Sequence, residues 1–304
     1  FIENKVIVTS LLKIKSGKTS PLQKGDIIES VNYKNIDKII EERLPSTPAS
    51  NYPTQLRDIA RGLLRTNDSV LNLSVKRNGS TSPMRIRCYS PNEVNIYESY
   101  YRKDTCFKLI RPEIAYIYPG TIKNMYLPEI MKEIAKTKGL IIDLRCYPSE
   151  FIVFSLGEYL MPDPVKFVKF SQTSYGNPGL FTYTDGPEVG KNNNDFYHGK
   201  VVIIVNEVTQ SQAEYTAMAL RVDPGATVIG STTAGADGNV SEIILPGGIR
   251  TMISGIGIYY PDGKETQRVG IIPDIEVKPT IMGIVEGRDE LLEKAIEIIN
   301  KKQN

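Results

Sequence analysis

From Pro112 onward, short apolar runs alternate with segments of helical periodicity, and this alternation constrains the chain more than any other feature. Ile114–Tyr118, Gly139–Asp143, Lys200–Val205 and Thr227–Gly230 read as strands. Leu127–Lys136, Phe151–Leu160 and Ser211–Arg221 read as helices between or after them. Parallel neighbours cannot be joined by a tight hairpin and need a crossover, usually a helix. The pattern therefore predicts a layered α/β domain with parallel strands. Ser171–Gly199, rich in Gly, Asn, Tyr and Asp, is expected to be a long surface excursion. Ile243–Leu245, Arg250–Ser254 and Gly257–Tyr260 are β-like, and Arg288–Lys301 closes the chain as an amphipathic helix behind Asp289.

Residues 1–90 have a different character. Lys5–Thr9, Asp26–Val31, Val70–Arg77 and Met84–Cys88 alternate or run β-branched between Gly, Pro, Asn and Ser. Gln55–Arg65 places Leu56, Ile59, Ala60, Leu63 and Leu64 at helical spacing. A length of 304 residues suits two domains better than one core. The reading is a small β-domain at 1–90, a connector at 91–111 that is rich in Tyr and mixed charge, and an α/β domain at 112–304.

Composition removes several classes of function. A net charge of +2 supplies no field for nucleic acid or an acidic membrane surface. The longest apolar runs, such as Val201–Val205, fall far short of the roughly 20 residues that span a bilayer. A single His and three scattered Cys without a C-x-x-C pair cannot build a His- or Cys-based metal site, and no cofactor is expected. The chain begins at Phe1 rather than Met, and the expectation is that a leader or N-terminal segment has been removed or left out.

One string carries chemistry. A buried strand ends at Val205, a polar loop follows, and a helix opens at Ser211 in Thr209-Gln210-Ser211-Gln212-Ala213-Glu214. Serine there faces the crevice at the carboxyl ends of parallel strands, where ligands bind. The helix N-terminus offers unpaired N–H groups and partial positive charge to a developing oxyanion. Ser211-x-x-Glu214 is equally a capping box, so these residues alone leave both readings open. No G-x-S-x-G elbow is present, which speaks against an α/β-hydrolase.

Taken in order, several strings extend the pattern. They are Gly139–Ser149, Thr209–Glu214, Val228–Gly238, Leu245–Gly248, Tyr260–Val277 and Gly287–Ala295. In this order and spacing the chain resembles the C-terminal processing (tail-specific) serine peptidases and their tricorn-core relatives. Ser20–Ile28, ending its turn in Gly25-Asp26, looks like the start of the PDZ domain that those enzymes carry in front. The resemblance implies a PDZ-like β-domain, with Leu22 and Ile27 in its core, followed by a crotonase-like (ClpP-like) spiral α/β peptidase domain. It implies Ser211 as nucleophile, an oxyanion hole made by the backbone amides of Gln212 and Ser149, and peptide binding near Leu22, Gly25 and Asp26. Asp143 with Arg145, and Asp274, are expected to shape loops rather than to react.

The chain departs from the family pattern at two places. Where the family has D-L-R-x-N-x-G-G, residues 143–150 carry Ser149 and Glu150 at the glycine positions. Where Ser–Lys members carry Lys in T-F-G-K-G, 25 positions after the nucleophile, this chain has Ala236. The tricorn-like branch uses a His before its PDZ domain, and no His precedes His198, itself expected in a loop. Glu265 is the candidate polariser on the cleft side, with a solvated turn carboxylate as the other reading. Partners implied are polypeptides with extended C-terminal segments, and the resemblance places the protein outside the cytoplasm, periplasmic or membrane-anchored. The alternatives are a catalytically degenerate peptide-binding module of the same fold and a crotonase-like acyl-thioester enzyme, for which neither the Ser211 string nor a PDZ-like unit is needed.

Overall fold

The computed structural model describes residues 1–95 and 105–301. The fold is a mixed α+β one, divided into two compact units: Phe1–Lys103 with Val277–Glu293, and Asp104–Glu276 with Lys294–Asn304. The division is not the linear one expected from the sequence, because residues 277–293 return to the first unit. Of the expected connector, residues 96–104, including Tyr97, Tyr100 and Tyr101, lie outside the described residues.

The first unit is built on five strands: β1 (Val6–Ile7), β2 (Ile27–Val31), β3 (Lys34–Asn35), β4 (Val70–Arg77) and β5 (Ser80–Arg87). They pair in the order β1-β2-β4-β5, with β3 on β2. β4 alternates strictly, with Leu71, Leu73 and Val75 buried and their neighbours half-exposed, the signature of a sheet with one face in a core. Helices α1 (Ile36–Arg43) and α2 (Tyr52–Gly62) accompany the sheet, α2 capped by Asn51, whose side chain accepts the Thr54 N–H. The sequence missed α1 because its apolar positions are few.

Gly25 is required by packing as well as by its turn. Its φ is +93°, and an added Cβ would lie 2.4 Å from Val285 Cγ2 of the returning segment. Leu22 is buried as expected, but Ile27 is only half-buried and Ile28 takes the core position. The period of two fixes this exchange, since Asp26 and Ile28 share the inward face.

The second unit is organised around a six-stranded sheet. Its strands are β6 (Phe107–Arg111), β7 (Ile114–Ile117), β8 (Gly139–Asp143), β13 (Lys200–Val205), β14 (Ala226–Gly230) and β18 (Ile275–Glu276), in spatial order β18-β14-β13-β8-β7-β6. All neighbours run parallel except the edge pair β6–β7. β6 falls inside the expected connector, yet it is part of this sheet. The crossovers are α3 (Leu127–Ile134), α4 (Val153–Leu160) and α5 (Gln212–Leu220). Ile142, Ile203, Val205 and Val228 on one sheet face form a continuous core with Leu127, Ile134, Leu156, Leu160 and Met218 of the helices. The alternate residues Ile141, Val202, Ile204 and Ile229 are also fully buried, which is why these strands read as unbroken apolar runs.

Shorter strands fill the excursion and the segment after it: β9 (Val165–Lys166), β10 (Lys169–Thr173), β11 (Phe181–Asp185), β12 (Glu188–Val189), β15 (Val240–Leu245), β16 (Ile249–Ser254) and β17 (Gly257–Tyr259). β10 lies between β11 and β17, so Ser171–Gly199 is partly ordered sheet rather than loop throughout.

Candidate active site

Three loops leave the carboxyl ends of neighbouring parallel strands β8, β13 and β14. Ile204 stands opposite Asp143, and Val205 opposite Gly230, so the strand ends lie level. Gly230 has φ +124°, and a Cβ there would fall 1.8 Å from the Val205 carbonyl oxygen, so only glycine lets the third loop depart. The middle loop is clamped on both sides. Thr209 Oγ1 donates to the Leu144 carbonyl at 2.8 Å, and the Thr209 carbonyl accepts the Ala234 N–H at 3.0 Å.

Ser211 ends that middle loop and caps α5, with φ 54° and ψ −121°. This backbone region is nearly reserved for glycine, and holding a side-chain-bearing residue there costs about 1–3 kcal/mol. Strain of this kind persists only when the surroundings over-determine it. Ser211 N–H donates to Glu214 Oε2 at 3.0 Å, and Tyr215 N–H donates to the Ser211 carbonyl at 3.0 Å. A sharp, strained turn from strand to helix is the geometry that presents the nucleophile of a serine hydrolase at the top of its sheet. The chain reaches it without flanking glycines, so the missing G-x-S-x-G string concealed it.

Glu214 holds the site together. It is 1% exposed and gathers four donors: the Ser211 N–H, the Thr233 hydroxyl, the Gly235 N–H at 2.7 Å and the Ala236 N–H at 3.0 Å. Burial pushes its carboxyl up, and the four donors oppose that shift without cancelling it. Ala236, at the position of the family's Lys, thus shares Glu214 Oε2 with Ser211. Next to it, Asp237 is 4% exposed, its Oδ1 accepts the Gly238 N–H at 2.7 Å, and its Oδ2 has no partner. Burial, and secondarily the charge of Glu214, push the Asp237 carboxyl up to about 7, with the Gly238 N–H pulling the other way. No residue pattern marks this group in the sequence, because its only signal is burial.

The residues expected for the oxyanion hole divide. Gln212 is the first residue of α5, so its N–H has no intrahelical acceptor. Its side chain reaches the Glu150 carbonyl at 2.8 Å and brings the second loop alongside. The Ser149 N–H, however, is donated to the Pro119 carbonyl at 3.0 Å, and its hydroxyl is turned onto the Pro119 and Ile122 carbonyls. No residue from 144 to 151 has a positive φ. With glycine replaced, this loop keeps ordinary backbone angles and folds back on residues 119–122, and the Ser149 amide is committed there.

Glu265 is not on the cleft side. Its carboxylate is 43% exposed and meets Arg268 Nη2 at 2.8 Å. Gln267, two residues on, turns inward and binds the Asp237 carbonyl at 2.8 Å and the Ile256 carbonyl at 2.9 Å. His198 lies in an exposed loop just before β13, whereas Ser211 follows the other end of that strand, so the strand's length of roughly 17–20 Å separates them. Asp143 is fully buried and takes a two-pronged contact from Arg145 together with the Tyr116 hydroxyl at 2.8 Å. Asp274 pairs with Arg221 at 2.8 Å and accepts the Val228 N–H at 2.8 Å. Both carboxylates are occupied in shaping loops.

The three residues expected to bind peptide are structural in the first unit. Leu22 lies in its core. The Gly25 N–H is donated to the Val8 carbonyl at 2.8 Å. Asp26 is 1% exposed and clamped by Arg77 through contacts of 2.6 and 2.7 Å. Burial alone would raise the Asp26 carboxyl, but the Arg77 hydrogen bond, the Gln23 N–H and the Arg77 charge together hold it below the usual carboxylate range. A carboxylate so satisfied has nothing to offer a peptide's own carboxylate.

Among the described residues no three His, Cys, Asp or Glu side chains gather into a metal site, and no helix is long and apolar enough to cross a membrane. The profile of peptidase family S41 matches residues 113–277. Mature CPAF complexed with lactacystin superposes with a TM-score of 0.74 at 12% identity, over 96% of this chain and 82% of that one, a likeness of fold. The photosystem II D1 C-terminal processing protease gives a TM-score of 0.47 at 15% identity, over 99% of this chain and 78% of that one. No curated protein matches in sequence.

Proposed function

The chain belongs to peptidase family S41, and on that footing we propose that it is a serine endopeptidase cutting polypeptides near their C-termini with Ser211 as nucleophile. The observation that carries this reading is the strained backbone of Ser211 at the carboxyl edge of the parallel sheet, fixed by the four-donor Glu214 carboxylate. Ser211 Oγ attacks the scissile carbonyl carbon, and the developing oxyanion meets the Gln212 N–H at the positive end of α5. Collapse of the tetrahedral adduct expels the amine and leaves an acyl-serine, which water then hydrolyses.

One observation favours a second reading, a binding module that has lost its chemistry. Ala236 stands at the family's Lys position, and the Ser149 amide is committed to Pro119. The first unit is proposed as a PDZ-like domain that receives an extended segment by strand addition, at a place other than Leu22, Gly25 and Asp26. A location outside the cytoplasm is part of the same proposal. The test is hydrolysis of an unfolded-tailed protein ending in apolar residues. The endopeptidase reading expects new fragments that vanish in Ser211→Ala. Tight binding of the tail without any cleavage supports the module, and cleavage retained in Ser211→Ala refutes the nucleophile.

A further inference from the structure

Ser211 needs a proton acceptor, and the groups expected to provide one are absent or elsewhere: Ala236 replaces Lys, Glu265 is paired at the surface, and His198 lies beyond the far end of β13. The loop that carries Ala236 nevertheless brings a carboxylate to the site. Ser211 N–H and Ala236 N–H converge on the same oxygen of Glu214 at 3.0 Å each, so the two backbones are held side by side. Asp237 is the next residue along. Its charge is felt by Glu214 and Tyr215, two residues of α5, and Tyr215 lies one turn beyond Ser211 on the same face of the chain. Across from α5, the neutral amide of Gln267 fixes the Asp237 carbonyl. Asp237 is nearly wholly buried, and one of its carboxylate oxygens has no hydrogen-bond donor.

Native proteins rarely leave a buried carboxylate oxygen unpaired, because the desolvation goes uncompensated. Leaving it so is useful where the missing donor arrives during the reaction. We propose that Asp237 is the proton acceptor for Ser211, taking the hydroxyl hydrogen directly or through one water; this rests on Ser211 being the nucleophile. As Oγ bonds to the scissile carbonyl carbon, its proton passes to Asp237 Oδ2. The same proton then moves to the departing amine nitrogen as the C–N bond breaks. In the second half, water gives a proton to Asp237 while its oxygen attacks the acyl carbon, and that proton returns to Ser211 Oγ as the acid leaves. An acceptor with a pKa of about 7 is well matched to this work near neutrality. Neutral Gln267 on one side and Glu214 and Tyr215 on the other provide no cation that would hold the carboxylate permanently ionised.

The test uses the full chain and a fluorophosphonate probe, whose phosphorus takes the serine oxygen as fluoride leaves. Labelling rates at Ser211 are measured from pH 5 to 9 for the wild type and Asp237→Asn, with circular dichroism on both. The proposal expects the wild-type rate to rise about tenfold per pH unit below about 7 and then level off. Asp237→Asn, folded, should label roughly 100-fold more slowly or worse, without that inflection. Labelling of Asp237→Asn at the wild-type rate and with the same profile overturns the acceptor role and leaves Ser211 standing. A wild-type rate that is flat through pH 7 overturns it as well. Absence of Ser211 labelling in the wild type at every pH overturns the nucleophile itself. Should Asp237→Asn fail to fold, carboxyl carbon NMR of the wild type decides. A titration of Asp237 near 7 that shifts when Ser211 is labelled supports the role, and indifference to the label overturns it.

Discussion

Replacing Glu214 with Gln removes one formal charge and hardly changes shape, and two physical effects pull its consequence in opposite directions. Burial favours the neutral side chain, since the Glu214 carboxyl is pushed up by desolvation. Hydrogen bonding favours the carboxylate. Oε1 takes the Thr233 hydroxyl and the Gly235 N–H, while Oε2 takes the N–H groups of Ser211 and Ala236. An amide has one acceptor and one NH2 donor, so in either orientation the NH2 faces at least one backbone N–H that cannot turn away. Thr233 cannot absorb the mismatch freely, because its oxygen already accepts the Ile271 N–H at 2.7 Å. A buried donor left without an acceptor costs about 1–3 kcal/mol, and the worse orientation strands two. The expected net loss is about 3 kcal/mol, with the neutral side chain's gain in burial subtracting from it. Urea denaturation at pH 7 reads this as a lowered midpoint at unchanged slope. The same release should loosen Ser211 and slow its labelling. A Glu214→Gln chain as stable as the wild type would overturn this, since it would mean that the native carboxyl is already protonated and that one of the four donors is not donating.

Three further outcomes are expected. Ser211→Gly should be more stable than Ser211→Ala by about 1 kcal/mol in chemical denaturation, because glycine accepts φ 54° without strain; equal stabilities would remove the case for a strained nucleophile. Arg77→Met should cost about 3 kcal/mol by leaving Asp26 buried and unpaired. Because the folded Asp26 pKa is depressed, this contribution is present above about pH 4 and is lost as pH falls through the folded value, so wild type and variant should converge in acid and a constant gap would contradict the ion pair. Asp223→Asn should be stabilising at pH 8 by up to about 3 kcal/mol and neutral at pH 4. Burial raises the folded pKa of Asp223 to about 6, so the folded state holds its proton longer and wild-type stability falls as pH rises from about 4 to about 6; a pH-independent difference would contradict this.

The parallel core was legible in the sequence because strands buried on both faces leave unbroken runs. Gly139–Asp143 and Lys200–Val205 match the expectation residue for residue. β6 and α1 escaped notice since an edge strand and a short surface helix carry weak apolar patterns. At the site, the Ser211 string announced the loop, but its function depends on a backbone angle that no residue type encodes. Glu265 misled because proximity along the chain to Gly270-Ile271-Ile272-Pro273-Asp274 says nothing of which way a turn faces. Its neighbour Gln267 points inward and Glu265 outward, a difference set by where Arg268 stands. Leu22, Gly25 and Asp26 misled for the opposite reason: their pattern is strong because it is structural, a core side chain, a close approach to Val285 and an ion pair with Arg77.

Capture of the acyl-enzyme is the sharpest test of Ser211 as nucleophile. The chain is mixed with an activated ester of a short apolar peptide, quenched in acid during turnover, digested with trypsin and analysed by mass spectrometry. The expected result is the peptide's acyl mass on the fragment Val201–Arg221, localised to Ser211 by fragmentation and absent in Ser211→Ala. Turnover of the ester with no adduct on that fragment, or with the adduct on another residue, would contradict it.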